Sequence, residues 1–463
     1  MSTTETTPVA PAPAPARKRR WIDHWEPEDP AFWESTGKRV ANRNLWFSIF
    51  AEHIGFSMWT VWSVLVLFMG PAYGIDPAGK FFLVAVPALI GSMVRIPYTM
   101  APAKFGGRNW TIVSVLLLLI PTVLAIVVME PGTSYTTFLL VAALGGLGGG
   151  NFASSMVNIN AFYPEGRKGW ALGLNAGGGN IGVPAVQLLG LLIIAALGTA
   201  YPRVVLAIYI PLILLAALGA TKYMDNLSSM RNDTGAMRDA IRDRQTWIMS
   251  FLYIGTFGSF IGYSFAFGLV LQTQFGRTPL QAASVAFIGP LIGSLIRPVG
   301  GWMADRFGGA KVTLWTFVGM ALATGTAITA SNQKSLALFT AGFIALFVLS
   351  GIGNGSTYKM IPSIFFGKAT AAMAAGETKE AALLQARRLS GAVIGIAGAI
   401  GAGGGVLINL AFRQSFLTTK SGDSAFWSFL AFYAVCVVVT YVVYLRRAPA
   451  EVPEHPRLAY AGV

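Results

Sequence analysis

From Leu45 to Leu445 the chain runs as long apolar stretches broken by short polar ones. Each stretch is about 20 residues, the length at which an α-helix crosses a hydrocarbon core of roughly 30 Å. The pattern predicts about twelve spans, at 45–69, 81–100, 109–129, 136–160, 170–197, 201–221, 247–272, 281–303, 311–331, 338–360, 389–412 and 425–445. The expected fold class is an all-α membrane protein. The opening TTPVAPAPAPA run alternates Ala with Pro and lacks a continuous apolar region, so a cleaved signal peptide is not expected and the first span must direct insertion.

The spans repeat. RIPYTMAPAKFGGRNWT, from Arg95, lies without gaps on RPVGGWMADRFGGAKVT, from Arg297; the Arg, the Phe-Gly-Gly and the final Thr coincide. A weaker echo pairs GLGGGN, from Gly146, with GIGNGS, from Gly351. Two pseudo-symmetric six-helix halves are therefore expected. The N-terminal half covers 45–222 and the C-terminal half 247–445, joined by a polar linker at 223–246. A segment at 1–44 precedes them and a tail at 446–463 follows. Halves duplicated in this way place substrate near the membrane midplane, between them.

Composition agrees with lipid as the solvent: 54% of residues are hydrophobic, 12% are charged, and the mean hydropathy is +0.59. A net charge of +14 would suit nucleic acid, but the cations gather in alternate loops, among them Arg108, Arg167, Lys168, Arg387 and Arg388. That asymmetry follows the positive-inside rule and predicts both termini in the cytoplasm, in a multi-pass membrane protein with lipid rather than nucleic acid as its partner. Cys436 is the single cysteine, and His24, His53 and His455 are scattered. Neither a disulfide nor a metal or other cofactor is expected. No nucleophile with a base and no pair of carboxylates falls in the spans, which speaks against an enzyme.

Few ionisable residues lie inside the spans: Glu52, His53, Arg95, Arg297 and Lys359. An arginine at mid-helix costs roughly 2.5–3.5 kcal/mol to insert, so it faces a cavity or a partner, or else snorkels to the headgroups. Arg95 and Arg297 hold equivalent positions in the two halves and would meet across the central axis. Two guanidiniums without matching carboxylates call for an anion, which each planar fork can grip with two N–H groups. Lys359 either adds a third positive charge or caps its helix. Glycines gather in ALGLNAGGGNIGVP, from Ala171, and in GAVIGIAGAIGAGGG, from Gly391. They serve close helix packing or expose backbone N–H groups to an anion. Asn175 and Asn180 offer amide donors. Phe152, together with Tyr253 and Phe257 four residues apart on one helix face, supplies aromatic walls.

GGGNFASSMVNINAFYP, ALGLNAGGGNIGVP, RIPYT with FGGRNWT, WIMSFLYIGTFGSFIGYS, GAIGAGGG and the leading HWEPEDPAFWESTGKRVANRNLW together resemble the NarK-type nitrate/nitrite porters of the major facilitator superfamily. The second repeat, GWMADRFGGAK, also resembles that superfamily's loop motif, whereas the first has Ala103 where an acid is usual. The resemblance implies a twelve-helix transporter that works by alternating access as a monomer on nitrate and nitrite. It assigns Arg95 and Arg297 to the anion, Phe152 and Phe257 to a ring sandwich, Tyr253 as a hydroxyl donor, Asn180 to the signature asparagine, and Gly401 and Gly404 to the second signature. Glu52, His53 and Lys359 depart from the pattern. A buried Glu–His pair could carry a proton, or Glu52 could pair with His53 or Lys359 and stay charged. Nitrate/nitrite exchange, nitrate/proton symport and exchange of a phosphate or organic phosphate are the transport readings that follow.

Overall fold

A computed structural model describes residues 20–230 and 233–446. Among these described residues, twelve helices are long and apolar enough to cross a membrane. In chain order they are α1 (Pro30–Phe68), α2 (Pro77–Phe105), α3 (Gly107–Val128), α4 (Tyr135–Phe162), α5 (Gly166–Leu197), α6 (Pro202–Tyr223), α7 (Arg244–Phe275), α8 (Pro279–Phe307), α9 (Gly309–Asn332), α10 (Leu336–Ala374), α11 (Lys379–Thr419) and α12 (Asp423–Leu445). Their starts are chemically marked. Asp76, Ser134, Ser335 and Thr378 each accept a backbone N–H of the first turn, and Thr278 with Gln281 forms a capping box. Leu192, Leu218, Trp315, Leu322 and Val438 stand exposed on the outside of the bundle, the face that hydrocarbon would cover.

Every expected span is a helix, but several helices overrun it. α1 begins fifteen residues before the expected Leu45, α10 continues to Ala374, and α11 starts at Lys379. Hydropathy sees only the part in lipid. The overrun of α1 contains a π-helical turn at Trp33–Gly37 and that of α10 contains Pro362, and both remain helical through them.

The repeat seen in sequence has a backbone counterpart. α2 and α8 both stop at a glycine of the Phe-Gly-Gly motif, Gly106 at φ 89°, ψ 141° and Gly308 at φ 89°, ψ 129°. In both, the glycine N–H still donates back into its helix, to Pro102 at 2.9 Å and Ala304 at 3.0 Å. A side chain is strained in that conformation, so glycine is required.

The halves meet along three crossed pairs: α1 with α7, α2 with α11, and α5 with α8. At one end the seam is shut. Phe81 stacks on Phe412 and Phe416, each with ring centroids 5.2 Å away. Nearby, Gln187 Nε2 donates to the Ser264 carbonyl at 2.8 Å and Gln272 Nε2 to that of Leu67 at 3.3 Å. At the other end the halves part around a cavity beside the linker. The described parts of the linker carry secondary structure: β1 (Trp21–Ile22) pairs in parallel with β2 (Asn226–Leu227), and a short helix lies at Thr234–Arg242.

Candidate functional site

Arg95 projects from α2 and is 1% exposed; Arg297 projects from α8 and is 7% exposed. Arg95 Nε donates to the Gly149 carbonyl at 3.2 Å, and its Nη1 reaches across the seam to the Gly398 carbonyl at 3.0 Å. Arg297 Nη2 donates to the Tyr253 hydroxyl at 3.3 Å. One terminal nitrogen on each, Nη2 of Arg95 and Nη1 of Arg297, has no hydrogen-bond partner among the described residues. Neither arginine is in an ion pair there. A buried guanidinium with an unmet N–H is costly, and an anion is the partner that would satisfy both.

Aromatic rings hold these cations in place. The Arg95 guanidinium carbon lies 4.7 Å from the Phe152 ring centre, 5.1 Å from Phe257 and 5.4 Å from Trp59. That of Arg297 lies 5.6 Å from Tyr358. Phe152 and Phe257 face each other from opposite halves at 6.2 Å and 26°, and Tyr253 stacks on Phe257 at 5.3 Å and 17°. Phe257 sits in a π-helical turn of α7, Ile254–Gly258, where one extra residue widens the helix.

A cavity of about 650 Å³ leads to the site, walled by Arg95, Phe152, Met156, Tyr358 and Gly398 and mouthed by Arg238, Arg242, Arg387 and Arg388. Asp233, in the linker, accepts from Arg388 Nε at 2.5 Å and Nη2 at 3.0 Å. Those bonds, with the Ala236 N–H, hold its carboxyl down at about 2. The rim is cationic and the inner walls are mostly apolar, a shape that gathers anions and then strips their water.

Behind Met156 is a second buried polar cluster. Glu52 is 0% exposed; its Oε2 accepts from Ser155 Oγ at 2.6 Å and from Asn175 Nδ2 at 2.7 Å. Ser48 and Ser155 share a hydrogen bond of 2.9 Å. Glu52 Oε1 has no partner among the described residues.

The sequence-expected residues divide accordingly. Arg95, Arg297, Phe152, Tyr253 and Phe257 converge. Asn175 does not face the anion site; it is spent on Glu52 and Ser155. Asn180 is buried, with neither amide atom partnered among the described residues. Gly401 and Gly404 are packing positions: a β-carbon on Gly401 would lie 2.5 Å from the Tyr253 ring, and one on Gly404 2.8 Å from the Gly258 backbone. Lys359 is corrected outright. Its side chain is 44% exposed and pairs with Asp305 at 3.1 Å, inside the loop motif of its own half, so it turns away from the arginine pair although the preceding residue, Tyr358, lines the cavity. A Glu52–His53 pair, one of the alternatives the sequence left open, is not formed among the described residues. His53 Nδ1 lies 3.3 Å from the Gly178 carbonyl, and Glu52 bonds neither His53 nor Lys359.

Trp59, Ser155 and Tyr358 escaped the sequence reading, as did the carbonyls of Gly149 and Gly398. The echo between Gly146 and Gly351 puts Thr357 opposite Phe152, with Tyr358 the next residue, so that signal was at hand for Tyr358. A backbone carbonyl carries no sequence signal.

Residues 45–378 match the Major Facilitator Superfamily. The chain is 37% identical to the nitrate/nitrite transporter NarU of Salmonella typhimurium, over 94% of this chain and 98% of that one. It is 38% identical to NarU of Escherichia coli K12, over 93% and 97%. A probable nitrate/nitrite antiporter, NarK2 of Thermus thermophilus, is 34% identical over 94% and 99%. Among solved structures, a D-xylose-proton symporter overlays with a TM-score of 0.64 at 17% identity, covering 88% of this chain and 97% of that one, a likeness of fold alone.

Proposed function

The chain belongs to the Major Facilitator Superfamily and, within it, to the NarK-type nitrate/nitrite transporters, and from that premise we propose that it carries nitrate and nitrite across the membrane by alternating access, exchanging one for the other. It is a multi-pass transporter, not an enzyme. The observation that carries the reading is the pair of buried arginines, one from each half, each with a terminal N–H unpartnered and no ion pair among the described residues. A trigonal, monovalent oxyanion offers three acceptor edges in one plane, enough to answer both forks at once. A planar ion lying between two rings at van der Waals contact needs roughly 7 Å. Phe152 and Phe257, at 6.2 Å, would separate slightly on loading. A phosphate dianion is larger and would ask for more donors than this ring-walled site supplies.

Alternating access follows from charge. With the site empty, closing the halves presses two guanidiniums together in low dielectric; an anion between them removes the penalty. In this reading 45–222 and 247–445 rock as units about the linker 223–246, both termini are cytoplasmic in a bacterial inner membrane, one chain suffices, and the cavity beside the linker faces inward. A second reading, proton symport, draws on one observation: the buried carboxyl of Glu52 beside this site.

The test is nitrate uptake by proteoliposomes. Vesicles loaded with nitrite should accumulate external nitrate without an imposed gradient, and R95K and R297K should abolish it. Equal uptake by wild type and both variants, or none by any, would remove nitrate from the reading.

A further inference from the structure

We infer that the cationic mouth of the cavity seats the phosphate of an anionic phospholipid from the adjoining leaflet, and that this lipid bridges the linker helix to α11. The inference rests on the membrane placement proposed above and is independent of which anion is carried. Two helices build the mouth. Arg238 and Arg242 stand on the linker helix, Thr234–Arg242, and Arg387 and Arg388 on α11. Spaced four apart, Arg238 and Arg242 share one helix face. Asp233 is the one acid among the described lining residues, and Arg388 already holds it. Asp239 lies outside that lining, within electrostatic reach of Arg388. Four guanidiniums against two carboxylates leave the mouth with an excess of two positive charges.

The apolar surface beside these charges selects an amphiphile over a free ion. Met100, Leu172, Met237 and Ile241 wall the same cavity. Met100 is also exposed on the outside of α2, in line with exposed Met93 and Ile96 at helical spacing. An apolar path thus runs from the lipid-facing side of α2 to the charged mouth through Met100, which belongs to both. On α11, exposed Leu384 stands one turn before Arg387 and Arg388. Trp247 is exposed, with its indole N–H donating to the Ile241 carbonyl at 2.9 Å, an amphipathic ring of the kind that marks the headgroup level. The linker helix itself packs on α11. It has 9 residues and buries only Ala236 and Ala240, a thin anchorage for so short a helix.

A phospholipid supplies the second anchor. Its phosphodiester has one negative charge and a pair of unesterified oxygens, so one oxygen can accept from an arginine of the linker helix and the other from an arginine of α11. Its chains lie against Met100 and the outside of α2, where hydrocarbon belongs. Basic pockets between membrane helices recognise headgroups in this way, through charge on one side and apolar cover on the other. Inorganic phosphate offers the same oxygens without the chains and so gains nothing from the apolar path. With the lipid seated, the linker helix stays docked on α11; without it, four like charges on two packed helices work against that docking.

Hydrogen exchange of the linker helix in nanodiscs decides it. In wild type, the amides of 234–242 should exchange about tenfold more slowly in discs containing phosphatidylglycerol than in discs of phosphatidylcholine alone, the slowing given by a ligand at roughly ten times its Kd. R238Q/R242Q should lose that difference. R387Q leaves the helix's own sequence intact and should lose at least half of it, which tells a lost lipid seat from a helix weakened by its own substitutions. Equal exchange of wild type in the two lipids, or the full difference kept by either variant, overturns the inference. Inorganic phosphate that slows exchange equally in phosphatidylcholine discs overturns the lipid as occupant. Nitrate uptake into nitrite-loaded vesicles is a separate readout: its absence in both lipids defeats the anion-carrier reading and leaves the exchange comparison standing.

Discussion

Arg297 and the Tyr253 hydroxyl, 3.3 Å apart, make the finest-grained statement about selectivity. Y253F removes the acceptor that fixes one edge of the fork while leaving the ring stacked on Phe257. A hydrogen bond to a charged group is worth about 1.5–3 kcal/mol, so nitrate affinity should fall about 10- to 100-fold, measured by competition in proteoliposomes. The lysine variants differ in kind. R95K keeps the charge but gives up the bond to Gly398 across the seam and the flat stacking on Phe152, and an ammonium cannot grip a planar ion with two parallel donors. Transport should drop at least tenfold even where equilibrium binding survives.

At the scale of helices, close approach replaces the missing hydrophobic drive between segments in lipid. Gly258 of α7 and Gly404 of α11 touch backbone to backbone, with a built β-carbon at either one meeting the other 2.7–2.8 Å away. G404A should push these helices apart and cost about 1–3 kcal/mol, visible as a lower thermal midpoint in detergent with little change in anion selectivity. Gly308 is a backbone case: G308A, at φ 89°, should lower stability by a similar amount through strain, about 1–3 kcal/mol. Much of this level was legible in the chain. The spans came from apolar length, and the half-to-half correspondence came from Arg95, Arg297 and the Phe-Gly-Gly they precede. The arginine–aromatic cluster came from the scarcity of charge in lipid together with family resemblance. What stayed hidden depends on rotation about a helix axis. Asn175 could have faced the anion or α1, and Lys359 could have faced the anion or an acid of its own half; hydropathy fixes neither, and only packing turns the first to Glu52 and the second to Asp305.

For the molecule as a whole, the linker is tied to both halves. Asp225 meets Arg43 at 2.5 Å and Asn44 at 3.0 Å on the N-terminal side; Asp233 meets Arg388, and Asp243 meets Lys368, on the other. The bonds from Arg388 and the Ala236 N–H hold the Asp233 carboxyl down at about 2, below the ordinary aspartate range, so its bridge is fully present above about pH 4 and is lost only as pH falls toward 2. Any pH dependence of transport between pH 5 and 8 should therefore be unchanged in D233N, whereas the rate of opening, followed by a distance label across the mouth, should rise at every pH. The pair is exposed, so the effect on stability should stay within about 1 kcal/mol. The pairing of two buried arginines with one monovalent anion has an electrical consequence at this same scale. An anion entering alone against an inside-negative voltage would be opposed by about 2.3 kcal/mol per 100 mV. In the proposed exchange one monovalent anion moves against another, so no net charge crosses, and clamping the voltage should leave the rate flat.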